Sequence, residues 1–112
     1  MTIVEEEMPG GITKVVLDGR LDAEAAASVD FKMSLIANTR NAVLLDLRLV
    51  TFLASSGLRS LVIPAQTIKS RGGRIALFGP NEMVEKVLRT SGIDSVIPVH
   101  RELSAALAAM QH

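Results

Sequence analysis

The chain has 112 residues, the length of one domain with an ordinary single core, and its 48% apolar and 21% charged residues are those of a compact fold and not of a disordered segment. Twelve basic residues balance twelve acidic ones and no basic run is interleaved with aromatics, which excludes the usual footprint of a direct nucleic-acid binder. There is no cysteine, so disulfides, redox pairs and thiolate metal sites are excluded too. No apolar run reaches bilayer length, and the opening MTIVEEEMPGG is acidic where a signal peptide is basic. The expectation is a cytoplasmic protein without membrane insertion.

Thr2 to Glu7 and Ile12 to Leu17 read as two strands of a hairpin, joined through Met8, Pro9, Gly10 and Gly11. Asp18 to Asp22 reads as a turn whose last residue caps an alanine-rich helix from Ala23 to about Ala37. That helix turns Ala26, Val29, Met33 and Ile36 to the core and leaves Phe31 and Leu35 on its other side, either widening the buried stripe or lying partly exposed. Ala42 to Leu47 has the unbroken aliphatic character of a strand buried on both faces. After Phe52, read as a core plug, and the segment Ala54-Ser55-Ser56-Gly57, an amphipathic helix buries Leu58, Leu61, Val62, Ala65 and Ile68. Pro64 predicts a bend or a 3₁₀ turn in it, and Gly72-Gly73 a stop. Arg74 to Phe78 is the next strand. Asn81 caps a helix to Thr90 with Val84, Val87, Leu88 and Ser91 inward, Ser95 to Pro98 is a last strand, and Arg101 to Met110 a last helix. The order predicts an α/β fold: one domain over residues 1–112, with a mixed sheet, mainly parallel in its later strands, and four helices.

Two hydroxyls, Ser55 and Ser56, fall where a helix begins, beside unpaired backbone N–H groups and the positive end of its dipole. One hydroxyl suffices for a cap, so the second is left over. A hydrolase nucleophile elbow wants glycine two residues before the serine and a histidine base. Here Leu53-Ala54 precede Ser55, and the only histidines are His100, ahead of the last helix, and His112. No lysine follows a glycine-rich turn as in a P-loop, and the scattered methionines suggest no cofactor box. A binding module is expected, not an enzyme, with no cofactor and no metal. Among the carboxylates, Asp18 and Asp22 flank a turn and a helix start, and Asp46 suits a loop cap at a strand end. Alternatively, Asp22 and Asp46 border the serine turn, because parallel strand ends gather on one edge.

The segment TFLASSGLRSL, preceded by AVLLDL and followed by a helix ending in RGG, resembles the STAS domain of bacterial anti-sigma factor antagonists. In that family a hydrophobic strand and a short loop lead to Asp-Ser-Ser/Thr-Gly-Leu at a helix start. GRLD at Gly19 to Asp22, LFGPNEMVEKVLRTSGI at Leu77 to Ile93 and the terminal helix keep the family's order, so the resemblance covers nearly the whole chain. Ala54 stands where the family has its acidic residue. The resemblance implies that a partner kinase phosphorylates Ser55, with Ser56 the lesser acceptor, and that Asp22 lies near this site. The partner surface is then expected at Asp22, Asp46, Ser56, Gly57, Leu58 and Arg59. It implies a module that binds an anti-sigma factor with serine kinase activity, frees a sigma factor, and is switched off by phosphate on Ser55. Two other roles fit the same resemblance: an unphosphorylated accessory subunit of an ABC-type membrane transport complex, and a nucleotide-sensing STAS domain.

Overall fold

The structure, a computed structural model, describes residues 1–111; His112 lies outside the described residues. Five strands and four helices follow one another as β1 (Thr2–Met8), β2 (Ile12–Leu21), α1 (Ala23–Thr39), β3 (Ala42–Leu53), α2 (Ser55–Ser70), β4 (Arg74–Phe78), α3 (Glu82–Ser91), β5 (Val99–His100) and α4 (Leu103–Met110), with a 3₁₀ turn at Ile93–Ser95 before β5. The strands lie side by side in chain order, β1 antiparallel to β2 and every later neighbour parallel. This is the expected α/β architecture with a mixed sheet. Helices α1, α2 and α3 cover one face through Val29, Met33, Leu61, Ala65, Val84 and Leu88, while α4 alone covers the other through Ala106 and Met110 against Leu44, Ala76 and Phe78.

Helix α1 buries Ala26, Val29, Met33 and Ile36 as its spacing requires. Phe31 and Leu35 project to solvent, 60% and 58% exposed. Helix α2 runs unbroken through Pro64 without the expected 3₁₀ turn, and Pro64 is itself buried. Helix α3 is capped by Asn81, whose side chain accepts the Val84 N–H at 2.8 Å and donates to the Val50 carbonyl at 3.2 Å. Ser91, expected inward, is exposed.

Several boundaries differ from expectation. Asp18 to Leu21 is not a turn but the end of β2, and β3 runs on past Leu47 to Leu53. The pairings Asp18 with Leu49, Gly19 with Val50, Arg20 with Phe52 and Leu21 with Leu53 hold the two together. Between Asp46 and Phe52, β3 carries extra residues relative to β2, so its buried positions fall at Leu47, Val50 and Leu53 and the two-residue period is lost. The left-handed φ of 121° at Gly19 lies beside the second irregularity. The last strand is Val99–His100, not Ser95 to Pro98. Ser95 N–H bonds to Gly92 O and Ile97 N–H to Ile93 O, which commits this stretch to a helical turn. Helix α4 starts at Leu103, two residues later than expected.

Candidate functional site

Strands β2 and β3 end together, and the serine turn is built on that shared edge. Ala54, the single residue between β3 and α2, donates its N–H to Leu21 O at 3.0 Å and accepts the Leu58 N–H at 3.0 Å. Ala54 is therefore the N-cap, and with a methyl side chain it makes no side-chain cap bond. The expectation that a serine caps this helix is corrected. Ser55 and Ser56 are the first two helical residues; Ser55 is exposed and Ser56 half-buried. One turn on, Ser60 is buried and its hydroxyl donates to Ser56 O at 3.2 Å. Because the cap site lacks an acceptor, Ala54→Asp is expected to raise stability by about 1 kcal/mol in urea denaturation, through a bond to the free N–H groups of the first turn.

Gly57 anchors the turn and presents nothing outward. A Cβ there would lie 2.6 Å from Leu21 O and 2.7 Å from Leu21 Cγ, so only glycine lets α2 press onto the strand ends. Leu58 is half-buried and Arg59 exposed on the next positions. Asp22 follows Leu21 directly and caps α1, its Oδ1 accepting the Ala25 N–H at 3.0 Å and its Oδ2 lying 3.7 Å from Arg20 Nε. The Ala25 N–H above all, helped by the Arg20 charge, holds its carboxyl below the usual 3.8. Arg20 in turn stacks over the Phe52 ring at 4.4 Å, so Phe52 is a half-buried platform at the strand end and not a core plug.

Asp46 is elsewhere. It lies within β3 between Val16 and Phe78, among residues of the α4-covered face, and so neither caps a strand end nor borders the serine turn. Only 1% exposed, it accepts the Arg48 N–H at 3.0 Å and a forked pair from Arg48 Nε and Nη2, the latter at 2.7 Å. Arg48 also lies over the Phe78 ring at 5.1 Å. Burial pushes the Asp46 carboxyl up, but the Arg48 hydrogen bonds and charge, with Lys14, outweigh it and leave the group below 3.8. A carboxylate depressed in the folded state stabilises above its unfolded value, and that contribution is lost as pH falls through the folded one. Asp46→Asn is therefore expected to cost about 1 to 2 kcal/mol at neutral pH and to flatten the acid-side loss of stability below pH 3.8, as urea midpoints across that range would record.

A trough opens between α2 and α3. Its upper part, about 350 Å³, is lined by Ser55, Leu58, Lys86, Val87, Thr90 and Ser91. Leu58 and Ser91 continue into a lower part of about 380 Å³ with Arg59, Val62, Ile63, Ile93 and Val96. Ile63 is 53% exposed there, and among the described residues no carboxylate lines either part. His100 lines neither part, and its Nε2 is buried without a partner among the described residues. Among those residues no three side chains of the kinds that ligate metals converge, and no helix is long and apolar enough to cross a membrane.

A family model described as STAS domain matches residues 4–106. The chain belongs to the STAS domain family. Over 110 residues, 96% of this chain and 94% of the relative, this STAS domain is 27% identical to the anti-sigma F factor antagonist of Paenibacillus polymyxa. Its fold is that of an anti-sigma factor antagonist from Mycobacterium paratuberculosis, with a TM-score of 0.88 at 23% identity over 99% of this chain and 94% of the other. The Bacillus cell fate determinant SpoIIAA in its phosphorylated form shares the fold at a TM-score of 0.72 and 19% identity, over 96% and 98% of the two chains.

Of the residues singled out in the sequence, the STAS domain brings Asp22, Ser55, Ser56, Leu58 and Arg59 to one end of the sheet and the helix rising from it, buries Gly57 beneath them, and keeps Asp46 apart. The α3 wall, with Lys86, Val87, Thr90 and Ser91, was not among the expected site residues. A usable signal was present, since Lys86 and Thr90, and likewise Val87 and Ser91, are spaced one turn apart on a helix following a strand parallel to β3.

Proposed function

We propose that this STAS domain is an anti-sigma factor antagonist whose docking surface is the trough between α2 and α3 and whose switch is Ser55. The observation that carries the reading is the uncapped, exposed Ser55 at the mouth of that trough, on a helix start held by Ala54 and Gly57. The relatedness to the Paenibacillus polymyxa antagonist supports it. With Arg59 and Lys86 in the lining and no carboxylate, the trough fits a partner surface that is apolar with acidic groups at its rim. The domain acts as a ligand for its partner and as the substrate of the partner's kinase activity, not as a catalyst. In the switching step Ser55 Oγ attacks the γ-phosphorus of ATP held by the anti-sigma factor. The new Oγ–P bond forms as the bridging P–O bond breaks, ADP leaves, and the hydroxyl proton passes to a base of the kinase.

The test is to incubate the protein with candidate anti-sigma kinases and ATP and to locate any phosphate by mass spectrometry. Phosphate on Ser55, absent in Ser55→Ala, is the expected result. Modification elsewhere, or none, would overturn this reading in favour of the alternatives, a transport-complex subunit or a nucleotide-sensing domain.

A further inference from the structure

We propose that Lys86 of α3 is the counter-charge of a phosphate on Ser55, drawing the modified side chain into the upper trough. This rests on the reading of Ser55 as the phosphorylated residue. Ser55 and Lys86 come from different helices and line the same cavity of about 350 Å³. Lys86 enters no salt bridge and no side-chain hydrogen bond among the described residues, whereas its neighbour Glu85 pairs with Arg101 at 3.5 Å. Among the described residues no carboxylate lines the cavity to compete for the ammonium. Thr90, one turn beyond Lys86 on the same wall, adds a hydroxyl donor, while the Ser91 hydroxyl is already given to Leu88 O at 2.9 Å.

A phosphoserine brings about −1.5 to −2 charge and three acceptor oxygens, with a second ionisation near pH 6. An ammonium within reach favours the dianion and lowers that ionisation. The ammonium of Lys86 sits on a flexible four-carbon stem, which gives it freedom to turn toward the cavity it lines. The regulatory consequence has two parts: the phosphate occupies space that a docked partner needs, and it removes Lys86 as a counter-charge for the partner's acidic rim.

The test uses the protein with phosphoserine incorporated at position 55 during translation, alongside the same protein carrying Lys86→Met or Lys86→Arg, and follows the phosphorus-31 chemical shift against pH. The phosphate of the parent is expected to titrate about half a pH unit below that of Lys86→Met, with the difference shrinking in high salt and Lys86→Arg restoring it. Far-ultraviolet circular dichroism confirms that the variants are folded, as an exposed position allows. Coincident titrations of parent and Lys86→Met would overturn the pairing while leaving phosphorylation of Ser55 standing. A kinase that ignores Ser55 would overturn that underlying reading without moving these curves.

Discussion

Ser55→Asp is expected to weaken binding to the anti-sigma factor roughly 30- to 150-fold while leaving the fold at least as stable as before. The two effects have opposite causes. At the first position of α2 a carboxylate meets free N–H groups and the positive end of the helix dipole, which stabilises an exposed charge by about 0.3 to 1 kcal/mol. At the mouth of the trough, against the acidic, apolar partner surface proposed for it, the same charge brings repulsion and desolvation, a loss of about 2 to 3 kcal/mol. Calorimetric titration of the partner, paired with urea denaturation of the free protein, separates the two effects. Equal affinities for the parent and Ser55→Asp would remove the electrostatic switch, and a lowered urea midpoint would trace weaker binding to damage of the fold instead.

Gly57→Val is expected to destabilise the protein by about 3 kcal/mol or more, a large part of the total stability of a domain this size. The added Cβ alone falls 2.6 Å from Leu21 O, 2.7 Å from Leu21 Cγ and 3.0 Å from Leu53 Cδ1. The first of these is a backbone atom that already accepts the Ala54 N–H, so relieving the clash means lifting α2 off the strand ends and losing that bond. Gly57→Ala meets the same contacts, partly offset by the better helix propensity of alanine, about 1 kcal/mol. Urea midpoints ranked parent, then Ala, then Val are the expected result. A Val variant as stable as the parent would show that the turn is not held as described.

Much of this was legible along the chain. The core of α1, Val84 and Leu88 of α3, the caps Asp22 and Asn81, and the whole of β4 follow from patterns a few residues long, which act through the chain's own periodicity and its nearest N–H groups. The serine turn was legible for the same reason, whereas spacing left Phe31 and Leu35 either widening the buried stripe of α1 or partly exposed, and only packing puts both in solvent. Ala54 was harder to read, since a cap is recognised from a side chain that bonds and alanine has none. The lengths of β2 and β3 were hidden by the extra residues in β3, which break the two-residue alternation that marks a strand.

The sequence by itself determined the order of the main helices and strands, the core-facing stripe of α1, and the placing of two hydroxyls at a helix start, because each depends on atoms within a turn or two of one another. Only the tertiary structure decided that Ala54 rather than a serine caps α2, that Asp46 is consumed by Arg48 away from the turn, and that α3 supplies Lys86 to the cavity Ser55 opens on. Those outcomes depend on strand register, on which face of the sheet a residue takes, and on the spacing of two helices. Contacts between residues distant along the chain set all three.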